Sequence, residues 1–271
     1  MTFESVPSHQ RTRDHVSLGG NGGARGARMI GVVVVAIAAV SVFWWISRSS
    51  HTSEITVDTD VSRVEVDVFA GNVEIIGGTS GRVHVAAAID DGWVRSARVT
   101  HSVDGDTLRI DGDCRGHDLI PAFGCRTDVT LTVPAGVDVV AMSAGGTVEA
   151  RGLHGAAQLT SDAGDVVVAG HTGRLQAHSD AGDVLVTGLR AEDARITSSA
   201  GAVRVETLTP PRSLDAESSA GSVSVDLPAG TAYDVEAKSR TQAPDVSART
   251  SHASPHKVRA FSSAGPVDVT G

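Results

Sequence analysis

From Ile55 onward, apolar and polar positions alternate with period two, as in Val57, Val61, Val64, Val66 and Val68, with turns between the runs. That alternation predicts half-buried β-strands, and no amphipathic helical stripe interrupts it. Upstream the pattern is different. Met29–Ile46 (MIGVVVVAIAAVSVFWWI) is a run of eighteen residues without a charge, broken only by Gly31 and Ser41. At ~1.5 Å per residue it would span ~27 Å, enough for a hydrocarbon core. Trp44 and Trp45 lie at its C-terminal edge, where indoles prefer the interface. Arg11, Arg13, Arg25 and Arg28 precede it, which predicts an N-terminus inside and a C-terminal part outside the cell membrane. A cleaved signal peptide is the competing reading. It would need an unusually long leader, and Ser47-Arg48-Ser49 is a poor cleavage site.

The strands repeat. The phrase S-x-A-G-x-V-x-V recurs as SDAGDVVV (161–168), SDAGDVLV (179–186), SSAGAVRV (198–205), SSAGSVSV (218–225) and SSAGPVDV (262–269). Degenerate copies are SAGGTVEA (143–150) and TQAPDVSA (241–248), the latter with Pro244 in place of the central glycine. The glycines fall at Gly146, Gly164, Gly182, Gly201, Gly221 and Gly265, so the seven repeats are spaced 18, 18, 19, 20, 23 and 21 residues apart. VEVDVFAGNVEI (64–75) fits the same template around Gly71. Small apolar residues stand two and four places before each serine, as in Ala157/Leu159 and Leu175/Ala177.

Each repeat therefore reads strand, turn, strand, turn, in a length too short for a helical crossover. A single unit cannot bury its own inward face, whereas stacking copies ~4.8 Å apart makes a continuous core. The expected fold is all-β: a β-solenoid of stacked two-strand coils of 18–23 residues, preceded by irregular β-strands and one N-terminal transmembrane helix. An antiparallel sandwich whose hairpins share a turn sequence is the alternative. Glycine at the corner is expected to answer a positive φ, and the serine hydroxyl to bond a neighbouring backbone or serine. Along the chain this gives a disordered cytoplasmic tail (1–28), the membrane helix (29–47), a polar tether (48–55), an irregular strand region (56–134) and the solenoid (135–271). Strands at 82–89, 94–103, 107–111 and 127–133 are expected to pair as hairpins and cap the stack.

Composition narrows the function. Aromatics are 3% of the chain, so the core must be Val, Ala, Leu and Ile. Residues 1–28 carry four arginines against two acids, so the remainder is more acidic than the overall −9. An acidic exported part excludes nucleic acid as a partner. Cys114 and Cys125 flank a ten-residue loop, and on the exported side they suggest a disulfide, with two free thiols as the alternative.

Candidate chemistry is sparse. Asp162, Asp165, Asp180 and Asp183 occupy equivalent places in adjacent coils and could form a calcium site or paired acids. Aspartate also suits turns on its own account, and Ser199, Ala202, Ser219 and Ser222 replace it in the next coils. No G-x-S-x-G elbow, H-E-x-x-H spacing or P-loop is present, so no catalytic residue, metal or cofactor is expected.

The SDAGDV and SSAG phrases, the upstream apolar span and LTVPAG (131–136) together resemble the bacterial DUF4097 family, known as adhesin-like. The resemblance covers roughly residues 56–271 and implies a β-repeat envelope domain, often membrane-anchored, without a defined ligand or catalytic residue. Pro244 and Pro266 depart from its pattern, which puts the regularity of the last two coils in doubt. The expectation is a non-enzymatic, integral membrane protein whose outward β surface contacts a protein or cell-wall partner. The alternatives are an envelope-stress or signalling accessory, and a polysaccharide-active enzyme using the aspartate patch.

Overall fold

The computed structural model describes residues 50–57, 61–91, 95–116 and 125–271. The expected tail, the apolar span 29–46 and the loop 117–124 between the cysteines lie outside the described residues. Among the described residues no helix is long and apolar enough to cross a membrane. The unit Arg48–Gly271 holds every strand described.

The first group of strands is β1 (Ser50–Val57), β2 (Arg63–Val68), β3 (Val73–Gly78), β4 (Val83–Asp90), β5 (Arg95–Asp104), β6 (Thr107–Gly116) and β7 (Arg126–Pro134). The regular group is β8 (Asp138–Ser143), β9 (Val148–Arg151), β10 (Ala157–Ser161), β11 (Val166–Ala169), β12 (Leu175–Ser179), β13 (Val184–Leu189), β14 (Asp193–Ser198), β15 (Val203–Thr207), β16 (Ser213–Ser218) and β17 (Val223–Asp226). The last group is β18 (Asp234–Ser239), β19 (Asp245–Val246), β20 (Lys257–Ser262) and β21 (Val267–Thr270).

In the regular group each coil gives one strand to each of two sheets, and equivalent residues pair in parallel: Leu159 with Ala177, Ala177 with Ile196, Ile196 with Ala216. Parallel pairing between successive repeats is the solenoid arrangement and rules out hairpins within the repeats. Alternation does the rest. Ala157, Leu159 and Ser161 of β10 are buried while Gln158 faces out, and Val166 and Val168 of β11 close the core from the other sheet.

Two ends break the order of the chain. One sheet runs β1-β4-β7-β3-β9-β11-β13-β15-β17-β21-β19, the other β18-β20-β16-β14-β12-β10-β8-β2-β6-β5. The β2/β3 coil thus lies between β6/β7 and β8/β9, and the stack begins at β6/β7, well before residue 135. The expected hairpin cap is found in part: β5 pairs antiparallel with β6, and β4 with both β1 and β7, but β6 and β7 are themselves rungs, parallel to β2 and β3. Residues 50–55, expected as tether, belong to β1. That strand packs on one neighbour only and buries only Val57, so its sequence carries little apolar signal.

At the other end β20/β21 sits on β16/β17, and β18/β19, earlier in the chain, lies outside it. The coil of β20/β21 is regular despite Pro266. The Pro244 coil is the irregular one, with β19 reduced to two residues.

The corner glycines explain this order, and for a reason other than the expected one. A Cβ built on Gly146, Gly164, Gly182, Gly201, Gly221 or Gly265 would lie 2.0–2.4 Å from the carbonyl oxygen of the corner glycine in the adjoining coil. None of these six has a positive φ; Gly71 alone in the column does, at 144°. Close backbone approach therefore dictates glycine here. Three other positive-φ glycines, Gly152, Gly170 and Gly188, form a separate column at the opposite turn. Pro244 cannot sit on the Gly265 carbonyl as glycine would. At the end of the stack that corner can draw away, which an interior coil pressed from both sides could not do.

Candidate functional site

The repeated serine is a buried strut. Ser143, Ser161, Ser179, Ser198, Ser218 and Ser262 each donate to the corner-glycine carbonyl of the adjoining coil at 2.7–2.8 Å. Ser239 does the same to Gly265 at 2.8 Å. In three coils the serine oxygen also accepts the N–H of its own corner glycine. Apart from the half-buried Ser239 these serines are close to fully buried, and all are already engaged, so the column is architectural.

The aspartates divide. Asp165 accepts the Asp183 N–H at 2.9 Å, and Asp183 accepts the Ala202 N–H at 2.7 Å, a pattern Asn72 continues at Thr147. They hold backbone donors of the next coil. Asp180 is met by His178 at 3.0 Å and by the Ser199 hydroxyl at 3.1 Å. Among the described residues no group of three or more His, Cys, Asp or Glu is disposed to hold a metal.

Cys114 and Cys125 are joined in a disulfide, Cα to Cα 6.1 Å. The bond ties the end of β6 to the start of β7, the two strands of the first rung. On the outward face of β6, Asp111 pairs in register with Asp67 of β2. Partial burial, and then the nearby carboxylates of Asp111, Asp113 and Asp162, raise the Asp67 pKa above the ordinary carboxylate value.

Among the described residues a shallow depression of about 110 Å³ lies on the outer face of the β8/β10/β12 sheet. Arg63, Asp138, Gln158, Arg174 and Gln176 rim it, over a floor that includes Val140. Stacking creates it: Arg63 lies beside Asp138 across β2 and β8, and Gln158 beside Gln176 across β10 and β12. Glu65, which receives Arg63 at 2.8 Å and Arg109 at 3.2 Å, holds one guanidinium at the rim. Asp138 is fixed by the Ala156 N–H at 2.8 Å. Two guanidiniums and two amides spread over the four rungs from β2 to β12 offer hydrogen bonds to a polar or anionic polymer lying across the coils. Sequence reasoning missed this group, because Arg63 lies 75 to 113 residues before its other members. The one legible signal was that Gln158 and Gln176 share a repeat position.

The family model described as Toastrack DUF4097 matches residues 61–270. No curated protein matches the chain. Among solved structures, a candidate adhesin from Bacteroides fragilis is 15% identical over 83% of this chain and 97% of its own, with a TM-score of 0.42. A candidate cell adhesion protein from Clostridium sporogenes is 9% identical over 82% and 99%, TM-score 0.38. A candidate lipid-binding protein from Parabacteroides distasonis is 10% identical over 82% and 97%, TM-score 0.32. The chain belongs to the DUF4097 family.

Proposed function

We propose that this DUF4097 protein is a non-enzymatic contact protein of the cell envelope, held by one membrane span at 29–46 with its N-terminus inside and its solenoid outside. The disulfide supports an exported location, since such bonds persist in oxidising compartments. The observation that carries the binding reading is the depression on the β8/β10/β12 face, where Arg63, Gln158, Arg174 and Gln176 line a stretch four rungs long from β2 to β12. The repeated serines, and Asp165 and Asp183, by contrast are committed to stacking. A ligand recognised this way is an extended polar or anionic polymer, of which cell-wall glycan is the available example.

Full-length protein reconstituted in lipid vesicles and co-sedimented with purified cell-wall sacculi tests the reading. Wild type should sediment with the wall, and R63E/R174E should lose most of that association. Failure of the wild type to bind, or equal binding by the variant, would overturn it.

A further inference from the structure

We propose that the outer edge of β18 is a homotypic docking edge, on which a second copy of this chain adds its own β18 antiparallel about a two-fold axis at Ala237. β18 ends its sheet, and among the described residues no strand pairs with its outer side. The Asp234 N–H bonds the His256 carbonyl and the Arg240 N–H bonds the Ser262 carbonyl, so the even-numbered residues turn their backbone groups toward β20. Those of Val235, Ala237 and Ser239 therefore point away from the sheet. Tyr233, one step earlier, is already bridged by the 249–251 segment, which blocks the edge there. The open stretch is Val235–Ser239.

Lys238 and Arg240 charge the outward face of this edge, but an inward-facing charge and a proline are missing. Its inward positions are Val235, Ala237 and Ser239, with no inward charge, and no proline falls within the stretch. Val235, Ala237 and Val246 are also less covered than their counterparts Val258, Ala260 and Val269 one rung in, so the apolar layer is left partly open at this end.

The charges specify the partner. Along the outward face stand Asp234, Glu236, Lys238 and Arg240, two acids followed by two bases. With Ala237 opposite the partner's Ala237, Glu236 meets the partner's Lys238 and Asp234 meets the partner's Arg240. Val235 and Ser239 become hydrogen-bonded pairs of the same ladder. Shifting the two strands by two residues sets Glu236 on the partner's Glu236 or Lys238 on the partner's Lys238 and halves the opposite-charge pairs from four to two, and shifting by four leaves like pairs only, Asp234 on the partner's Glu236 or Lys238 on the partner's Arg240. Opposite-charge cross-strand pairs are favourable and like pairs are not. Self-pairing is therefore fixed in one register, and the bridge at Tyr233 bars slippage past it. Within a single chain Glu236 pairs with Lys238 along the strand, so both partners of the cross-strand bond are held at the edge.

Sedimentation of the full-length chain in detergent, over a dilution series, should show a monomer–dimer equilibrium. E236K should weaken it about tenfold or more, and the charge swap E236K/K238E should restore it. Unchanged thermal unfolding of these surface variants separates lost docking from lost folding. The register is read by oxidation. A mixture of E236C and K238C chains should crosslink, whereas neither alone should do so efficiently. A chain that stays monomeric at every concentration, a dimer indifferent to charge reversal, or crosslinking in E236C alone would overturn the proposal.

Discussion

The Ser198 hydroxyl donates to the Gly182 carbonyl and accepts the Gly201 N–H, both at 2.8 Å. One buried oxygen thus joins two adjacent coils and closes its own corner. With it removed, the Gly182 carbonyl keeps no hydroxyl donor and the Gly201 N–H no acceptor. S198A should lower stability by about 2–3 kcal/mol, the cost of stranding buried backbone groups. Urea unfolding of S198A against wild type measures it. A loss comparable to an exposed serine change, such as S219A, would contradict the role.

The two glycine columns should fail differently. G182A drives a Cβ to 2.3 Å from the Gly164 carbonyl, a backbone clash with no flexible atom to give way. It should cost about 3 kcal/mol. G170A has open space around its Cβ and only the φ of 66° against it, and should cost about 1–2 kcal/mol. Melting both variants side by side checks the order.

His171 occupies a core position in the column of Leu153 and Leu189, and its Nδ1 has no hydrogen-bond partner. Burial, helped by nearby His154 and opposed by the carbonyls of Arg174 and Gly173, depresses its pKa below the usual 6.5. Above 6.5 the ring is neutral folded or unfolded, and stability is at its full value. As pH falls below that value the unfolded chain takes up the proton first, so stability is lost down to the folded pKa. H171L, which continues the leucine column, should abolish this part of the acid sensitivity. Unfolding free energies across pH 4–8 for both proteins test it, in the range where histidine titrates. Parallel curves would contradict it.

The Cys114–Cys125 bond closes a loop at the first rung of the stack, away from the regular coils. The double substitution C114S/C125S should cost about 2–3 kcal/mol through the freed loop. The β-signal by circular dichroism should survive, because the serine and glycine columns are untouched. Collapse of that signal would mean the rung nucleates the fold.

Much of this architecture was legible in the sequence. The spacing of SDAGDV and SSAG marked the coils, and alternation placed inward Val, Leu and Ala correctly. The order of the coils was not legible, since a repeat motif says that units stack but not which copy docks on which. The departure at Pro244 was visible; that it would send its own coil to the end, past β20/β21, required the distances between adjoining corners. β1 escaped notice because a one-sided edge strand can be polar along most of its length. The depression was hidden because its rim is assembled across rungs, with Arg63 and Gln176 far apart in the chain.

The outermost position of β18/β19 has a further consequence for how the molecule comes into being. Residues 257–270 emerge from the ribosome after 234–246, yet they form the rung on which 234–246 rests. Until they arrive the earlier segment lacks its native docking surface, and laying it directly on β16/β17 would occupy the place of β20/β21 and put Pro244 where the interior corner Gly265 belongs. This end therefore cannot be built in the order of synthesis; the later segment must be inserted first, so assembly there waits on translation through Thr270.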